Sequence, residues 1–113
     1  SDSAPQPSLM SQRQCEWVRG YILDNIDSDL TIEKIAGSAG VSVSTIQRHF
    51  KEHIGMTVFD FIRHERLERA RAALEHEGIP IAKAAYLAGY SNLSSFTTAF
   101  RKTYGVTPKR VRA

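Results

Sequence analysis

The sequence predicts an all-α protein: seven helices forming two helix-turn-helix subdomains joined by a long central helix. Three observations support this. A segment recurs: LTIEKIAGSAGVS (30–42) returns as IPIAKAAYLAGYS (79–91), with Ile32/Ile81, Lys34/Lys83, Ala36/Ala85, Ala39/Ala88, Gly40/Gly89 and Ser42/Ser91 identical at an offset of 49. One extra residue then enters the second copy, and at an offset of 50 follow Ser44/Ser94, Phe50/Phe100, Lys51/Arg101, Gly55/Gly105 and Thr57/Thr107. Each copy reads as a short helix, a glycine turn and a second helix, the helix-turn-helix pattern. Finally, the apolar residues fall at helical spacing along the chain, and no stretch reads as a strand.

The first helix is expected over about 9–26, with Cys15, Val18, Ile22 and Ile26 on one stripe that Trp17 and Tyr21 widen. On that stripe Cys15 reads as a small buried hydrophobe. The second helix covers 32–39, capped by Thr31, with Ile32, Ile35, Ala36 and Ala39 at i, i+3, i+4 and i+7. Gly40 suits the left-handed turn that ends it. Ser42 caps a third helix over about 43–54, whose Ile46, Phe50 and Ile54 face inward, and Gly55 stops it. Thr57 and Asp60 give a capping-box-like start to a fourth helix reaching about residue 76, with Phe59, Ile62, Leu67, Ala70 and Leu74 as its stripe.

Gly78 ends the fourth helix, and Pro80 fits the first turn of the fifth. There Ile81, Ala84, Ala85 and Ala88 repeat the spacing of the second helix before the Gly89 turn. The sixth helix covers about 92–103, with Phe96, Ala99, Phe100 and Tyr104 inward and Gly105 after it. Thr107 and Pro108 begin a brief seventh helix near Lys109, Arg110 and Arg112. The paired alanines of the two copies (Ala36, Ala39, Ala85, Ala88) let helices approach closely. The resulting organisation is a linker or trimmed remnant over 1–8, a first subdomain over 9–56, a connecting helix over 57–77 and a second subdomain over 78–113.

A hydrophobic fraction of 42% is enough for a packed core, and a net charge of +3 is too mild to identify a partner. Its distribution says more. Residues 1–29 carry a net charge of −3 and the remainder +6, while residues 91–113 hold five basic residues and no acidic one. Cationic charge is thus concentrated where phosphate would use it. A single cysteine excludes an internal disulfide and a Cys-rich zinc site, which points to a reducing cytoplasm. No apolar run approaches membrane-spanning length. His49 and His53 stand at i, i+4, but HFKEH lacks the order of a zinc hydrolase motif. No Ser-His-Asp grouping, carboxylate pair or phosphate loop stands out. We therefore expect no enzyme activity, no metal and no cofactor.

The stretches IRHERLERARAAL (62–74) and AYLAGYSNLSSFTTAFRKTYGVTPKRVR (85–112), with the doubled helix-turn-helix, resemble the AraC/XylS family of bacterial transcription regulators. The resemblance covers about 11–112. One departure is Val111, where the family usually has an aromatic before its arginine. The resemblance implies double-stranded DNA as partner, bound through both units, and most members activate transcription. It also implies contact with RNA polymerase, for which the acidic first helix offers a surface. An upstream effector-binding domain outside this chain would hold any inducer.

In a helix-turn-helix the second helix enters the major groove. On the first such helix, resemblance and geometry offer Ser44, Thr45, Gln47, Arg48 and Lys51 for DNA binding. Arg48 suits guanine O6 and N7, Gln47 suits adenine N6 and N7, and Lys51 suits phosphate. On the second helix they offer Asn92, Leu93, Ser94, Thr97, Thr98 and Arg101. Short hydroxyls there favour phosphates, waters and thymine methyls, so a more degenerate half-site is expected. The connecting helix, at ~1.5 Å per residue, makes a rod of roughly 30 Å. One DNA turn is about 34 Å, so the two recognition helices are expected in adjacent major grooves. Arg63, Arg66, Arg69 and Arg71 either pair with Glu65, Glu68 and Glu75 or reach phosphate, with pairing favoured. Thr31, Thr57 and Thr107 read as caps that could also present helix ends to phosphate. The competing reading is a helical protein–protein docking module, which would show no steep salt dependence on DNA.

Overall fold

The computed structural model describes residues 10–113. Its order is α1 (Gln12–Asp24), α2 (Ile32–Ala39), α3 (Val43–His49) running on into a π turn (Phe50–Ile54), α4 (Val58–Glu77), α5 (Ile81–Leu87), α6 (Leu93–Tyr104) and α7 (Pro108–Val111). Among the described residues there is no strand. The chain divides into two compact units, one ending at Phe61 and one from Ile62 to Ala113, with the division inside α4.

In the first unit, α1 is started by a reciprocal capping box. Ser11 Oγ accepts from the Gln14 N–H at 3.1 Å, and Gln14 Oε1 accepts from the Ser11 N–H at 3.0 Å. The helix therefore begins later than expected, and Leu9 lies outside the described residues. It also ends earlier, at Asp24, where the Asn25 side chain donates to the Tyr21 carbonyl at 2.9 Å. Ile26 follows the helix rather than lying in it, yet it is buried. Val18 and Ile22 supply the buried face of α1.

Three inward assignments are corrected. Trp17 is 59% exposed, because it sits about 100° round the helix from Val18, outside the narrow arc that α2 covers. Cys15 is half-buried, at the edge of the same arc, rather than enclosed. Phe59 is 71% exposed. With α4 starting at Val58, its inward face is Val58, Phe61 and Ile62 at i, i+3 and i+4, which turns Phe59 away. Phe61 meets Phe50 edge-on at 5.3 Å between ring centroids, so the buried end of the first unit is aromatic.

In the second unit, Leu67, Ala70 and Leu74 of α4 join Ala84, Ala85, Ala88, Phe96 and Phe100 in one buried cluster. Tyr90, Phe96, Phe100 and Tyr104 form a ladder with centroid spacings of 5.9, 5.7 and 4.7 Å. Arg71 is where the expected pairing on α4 is seen: its Nε meets Glu68 at 2.8 Å and its Nη1 meets Glu75 at 2.7 Å. Its guanidinium also lies 5.3 Å from the Tyr104 ring centroid. The chain end is tied back to α4. Ala113 N–H donates to the Leu74 carbonyl at 2.9 Å, and Arg112 Nε donates to the Gly78 and Ile79 carbonyls at 3.1 and 2.7 Å. Gly78 has φ +61°, and a side chain there would meet the Ala113 carbonyl oxygen at 3.1 Å.

Tyr104 gives this unit a testable alkaline limit. Burial first, and the Glu68 carboxylate second, push its phenol up from 10.0 to about 12. The folded state thus keeps a proton that the unfolded chain releases near pH 10. The stability linked to Tyr104 is whole below that pH and is lost as pH rises through about 12. Subtracting the ultraviolet absorbance titration of Tyr104→Phe from that of the parent should isolate a phenol ionising near pH 12. A step near pH 10 would contradict the burial argument.

Candidate nucleic-acid interface

The sequence repeat is repeated in hydrogen bonds. In the first unit, Gly40 N–H donates to the Gly37 carbonyl at 3.2 Å and Val41 N–H to the Ala36 carbonyl at 3.1 Å. In the second, Gly89 N–H donates to the Tyr86 carbonyl at 3.0 Å and Tyr90 N–H to the Ala85 carbonyl at 3.0 Å. Both glycines are left-handed, at φ +68° and +83°, so each turn needs the residue it has. α2 packs on α3, and α5 packs on α6.

The extra residue of the second copy falls inside its turn. Ser42 Oγ caps α3 by accepting from the Thr45 N–H at 3.1 Å. In the second copy this role belongs to Asn92, whose Oδ1 accepts from the Ser95 N–H at 2.8 Å. Ser91, the sequence counterpart of Ser42, therefore precedes the cap. The far ends differ as well. Gly105 N–H bonds four residues back to the Arg101 carbonyl at 2.8 Å, whereas Gly55 N–H bonds five back to the Phe50 carbonyl at 2.9 Å. α3 thus closes in a π turn, whereas α6 stays α-helical to its end.

Ser44, Gln47, Arg48 and Lys51 are exposed on α3 and its π turn. Thr45 is half-buried, and its hydroxyl lies 2.8 Å from that of Ser42. On α6 Ser94, Thr98 and Arg101 are exposed, Leu93 is 49% exposed and Thr97 is half-buried. Asn92, at the cap, has its carbonyl oxygen already in use. Among the described residues, Gln47, Arg48, Lys51 and Arg101 make no side-chain hydrogen bond or ion pair. Their donors are therefore available to an outside acceptor. Thr31 and Thr107 cap α2 and α7, and Thr57 Oγ1 accepts from the Asp60 N–H at 3.0 Å.

One exposed residue was not singled out from the sequence. Tyr86, on the first helix of the second helix-turn-helix, is 80% exposed where the first copy has Gly37. The repeat alignment held the signal: a large aromatic opposite a glycine at an outward position. Among the described residues no group of three or more His, Cys, Asp and Glu is placed to hold a metal. No described helix is long and apolar enough to cross a membrane.

A family model described as a helix-turn-helix domain matches residues 17–113. The xylose operon regulatory protein of Escherichia coli K12 is 32% identical over 92 residues, which is 81% of this chain and 24% of that protein. The HTH-type transcriptional activator RhaS of Escherichia fergusonii is 28% identical over 92 residues, 81% of this chain and 33% of that protein. The chain thus spans about a quarter to a third of the length of these curated relatives. Among solved structures, an AraC-type transcriptional regulator from Chromobacterium violaceum aligns with a TM-score of 0.83 at 27% identity, covering 89% of this chain and 90% of that one. The xylose-binding transcription activator xylR aligns with a TM-score of 0.80 at 28% identity, over 91% of this chain and 27% of that one. The DNA-binding domain of AdpA, solved with a target DNA, shares the fold at 22% identity and a TM-score of 0.73, covering 88% of this chain and 89% of that one. By its doubled turn, its matched length and these relatives, the chain belongs to the AraC/XylS family of transcription regulators.

Proposed function

We propose that this chain is a sequence-specific double-stranded DNA-binding module that inserts α3 and α6 into adjacent major grooves. The observation that carries this is the pair of matching glycine turns, each followed by a capped helix, with Gln47, Arg48, Lys51 and Arg101 making no side-chain hydrogen bond or ion pair among the described residues. A rigid turn fixes the second helix against the first, so the backbone that presents those side chains is ordered before binding and only their own rotamers remain to be fixed. Arg48 is the principal base reader, Gln47 a second, and Lys51 and Arg101 hold phosphates. Ser44, Thr45, Asn92, Leu93, Ser94, Thr97 and Thr98 complete the contact set. α4, with 20 residues, is a rod of about 30 Å, comparable with one DNA turn of about 34 Å.

Regulation by activation, contact between the acidic α1 surface and RNA polymerase, an upstream effector-binding domain and a cytoplasmic setting extend the same proposal. They draw on relatives named as an activator and an operon regulator, each about three to four times longer than the matched segment.

Selection of the chain against a random duplex library at physiological salt tests the reading. Two enriched motifs about one helical turn apart are expected, the one under Arg48 sharper. Replacing both Thr97 and Thr98 by alanine should lower affinity while leaving the preferred bases nearly unchanged. No enrichment, with a flat salt dependence, would favour a docking module instead.

A further inference from the structure

In the first unit, α1 and the end of the first recognition helix bound a groove of about 290 Å³. Its floor is apolar, formed by Val18, Phe50, Ile54 and Phe61. At one side stands Cys15, half-buried, with Sγ 3.3 Å from His49 Nε2. The His53 ring lies 4.9 Å from that of His49. Three features meet here: a soft nucleophile, a base within hydrogen-bond reach, and an apolar space large enough for a small molecule beside them.

We propose that Cys15 and His49 form a covalent capture site for small apolar α,β-unsaturated carbonyl compounds. The step needs no further reagent. The sulfur forms a bond to the β-carbon while His49 Nε2 takes the thiol proton. The carbon–carbon π pair moves onto the carbonyl as an enolate, and the imidazolium returns the proton to the α-carbon. His49 is suited to this because burial, then the neighbouring His53, hold its titration below the ordinary 6.5, which leaves it neutral and able to accept a proton at pH 7. The other ionisable groups around the groove are Glu16 and Arg19 of α1 and His53 of the π turn.

Cys15 is the only cysteine, so labelling reads one site. N-ethylmaleimide and the bulkier, more apolar N-phenylmaleimide would be followed by intact mass on the full chain, with no DNA present. At pH 7 a free thiol is only a few per cent thiolate, so base assistance should make native Cys15 react about tenfold faster than the same thiol in urea. The native advantage should be larger for N-phenylmaleimide, and it should fall away as pH drops and His49 becomes protonated. His49→Gln should remove the advantage and its acid limb while circular dichroism shows the helices intact. A native rate equal to or below the urea rate overturns the proposal, as does an advantage that survives His49→Gln. The native-against-urea comparison and the pH profile decide the matter even if that variant does not fold.

Discussion

Phe100→Ala is expected to unfold the second unit. Phe100 is fully buried, and its ring is wedged between Phe96 at 5.7 Å and Tyr104 at 4.7 Å. Removing a buried phenylalanine costs about 3–5 kcal/mol, because the transfer term is lost and the cavity closes only partly. A whole domain has about 5–15 kcal/mol to lose, and a unit this small lies toward the low end. The neighbours cannot easily fill the gap: Ala84, Ala85 and Ala88 opposite have no side-chain length to swing in. Urea unfolding followed by circular dichroism should therefore lose the α5–α7 share of helical signal at far lower denaturant than the parent. Lys102→Ala, exposed on the same helix, should stay within about 0.5 kcal/mol of it. If the two variants matched, the aromatic ladder would not be what holds the unit together.

The repeat sharpens this expectation. Phe50 stands at the matching position of the first copy, is also buried, and packs on Phe61 of α4 and edge-on to the adjacent His49 ring rather than on a phenylalanine one turn away in its own helix. One residue type at one helical position thus closes both units, through different partners. The difference follows from the helix ends. The second helix runs α-helical to Tyr104, so Phe96, Phe100 and Tyr104 stack at steps of four. In the first, the π turn begins at Phe50, and Ile54 takes the place of Tyr104.

What could be read in the sequence was mostly what glycines and caps decide locally. Gly40, Gly55, Gly89 and Gly105 end helices where expected, each with positive φ, because the left-handed region admits little else. Thr31, Ser42 and Thr107 cap as expected, since a short side-chain oxygen is needed at those positions. The failures concern how wide an apolar arc is. Cys15, Trp17 and Phe59 lie within about 100° of buried neighbours, and period alone does not tell which edge of a stripe a partner helix covers. The π turn also left no trace, because Phe50–Ile54 and Phe100–Tyr104 carry the same apolar spacing while differing in which carbonyl the closing glycine chooses. On the candidate interface, outward placement of Gln47, Arg48 and Lys51 followed from Ile46 and Phe50 facing in. The use of Asn92 as a cap depended on where the inserted residue fell, which identity matching alone did not locate.

Arg48→Ala should separate base reading from backbone grip. Arg48 is exposed on α3, and alanine is a stronger helix former, so the substitution leaves the helix standing. If Arg48 grips a guanine through both acceptors, its loss costs about 1–3 kcal/mol, or roughly five- to 150-fold in affinity for the selected site. The loss should be confined to one base position, with binding to unrelated DNA changed far less. Arg48→Lys should not restore the preference, because an ammonium lacks the planar fork that matches O6 and N7 together. Lys51→Ala, one turn on, makes the contrasting case. A phosphate contact weakens all sequences alike and lowers the salt slope by about one. Binding measured for both variants on the selected site and on scrambled DNA, each at several salt concentrations, distinguishes the roles. Should Arg48→Ala lower every affinity equally and take a unit from the salt slope, Arg48 would be a phosphate clamp, and base reading would pass to Gln47.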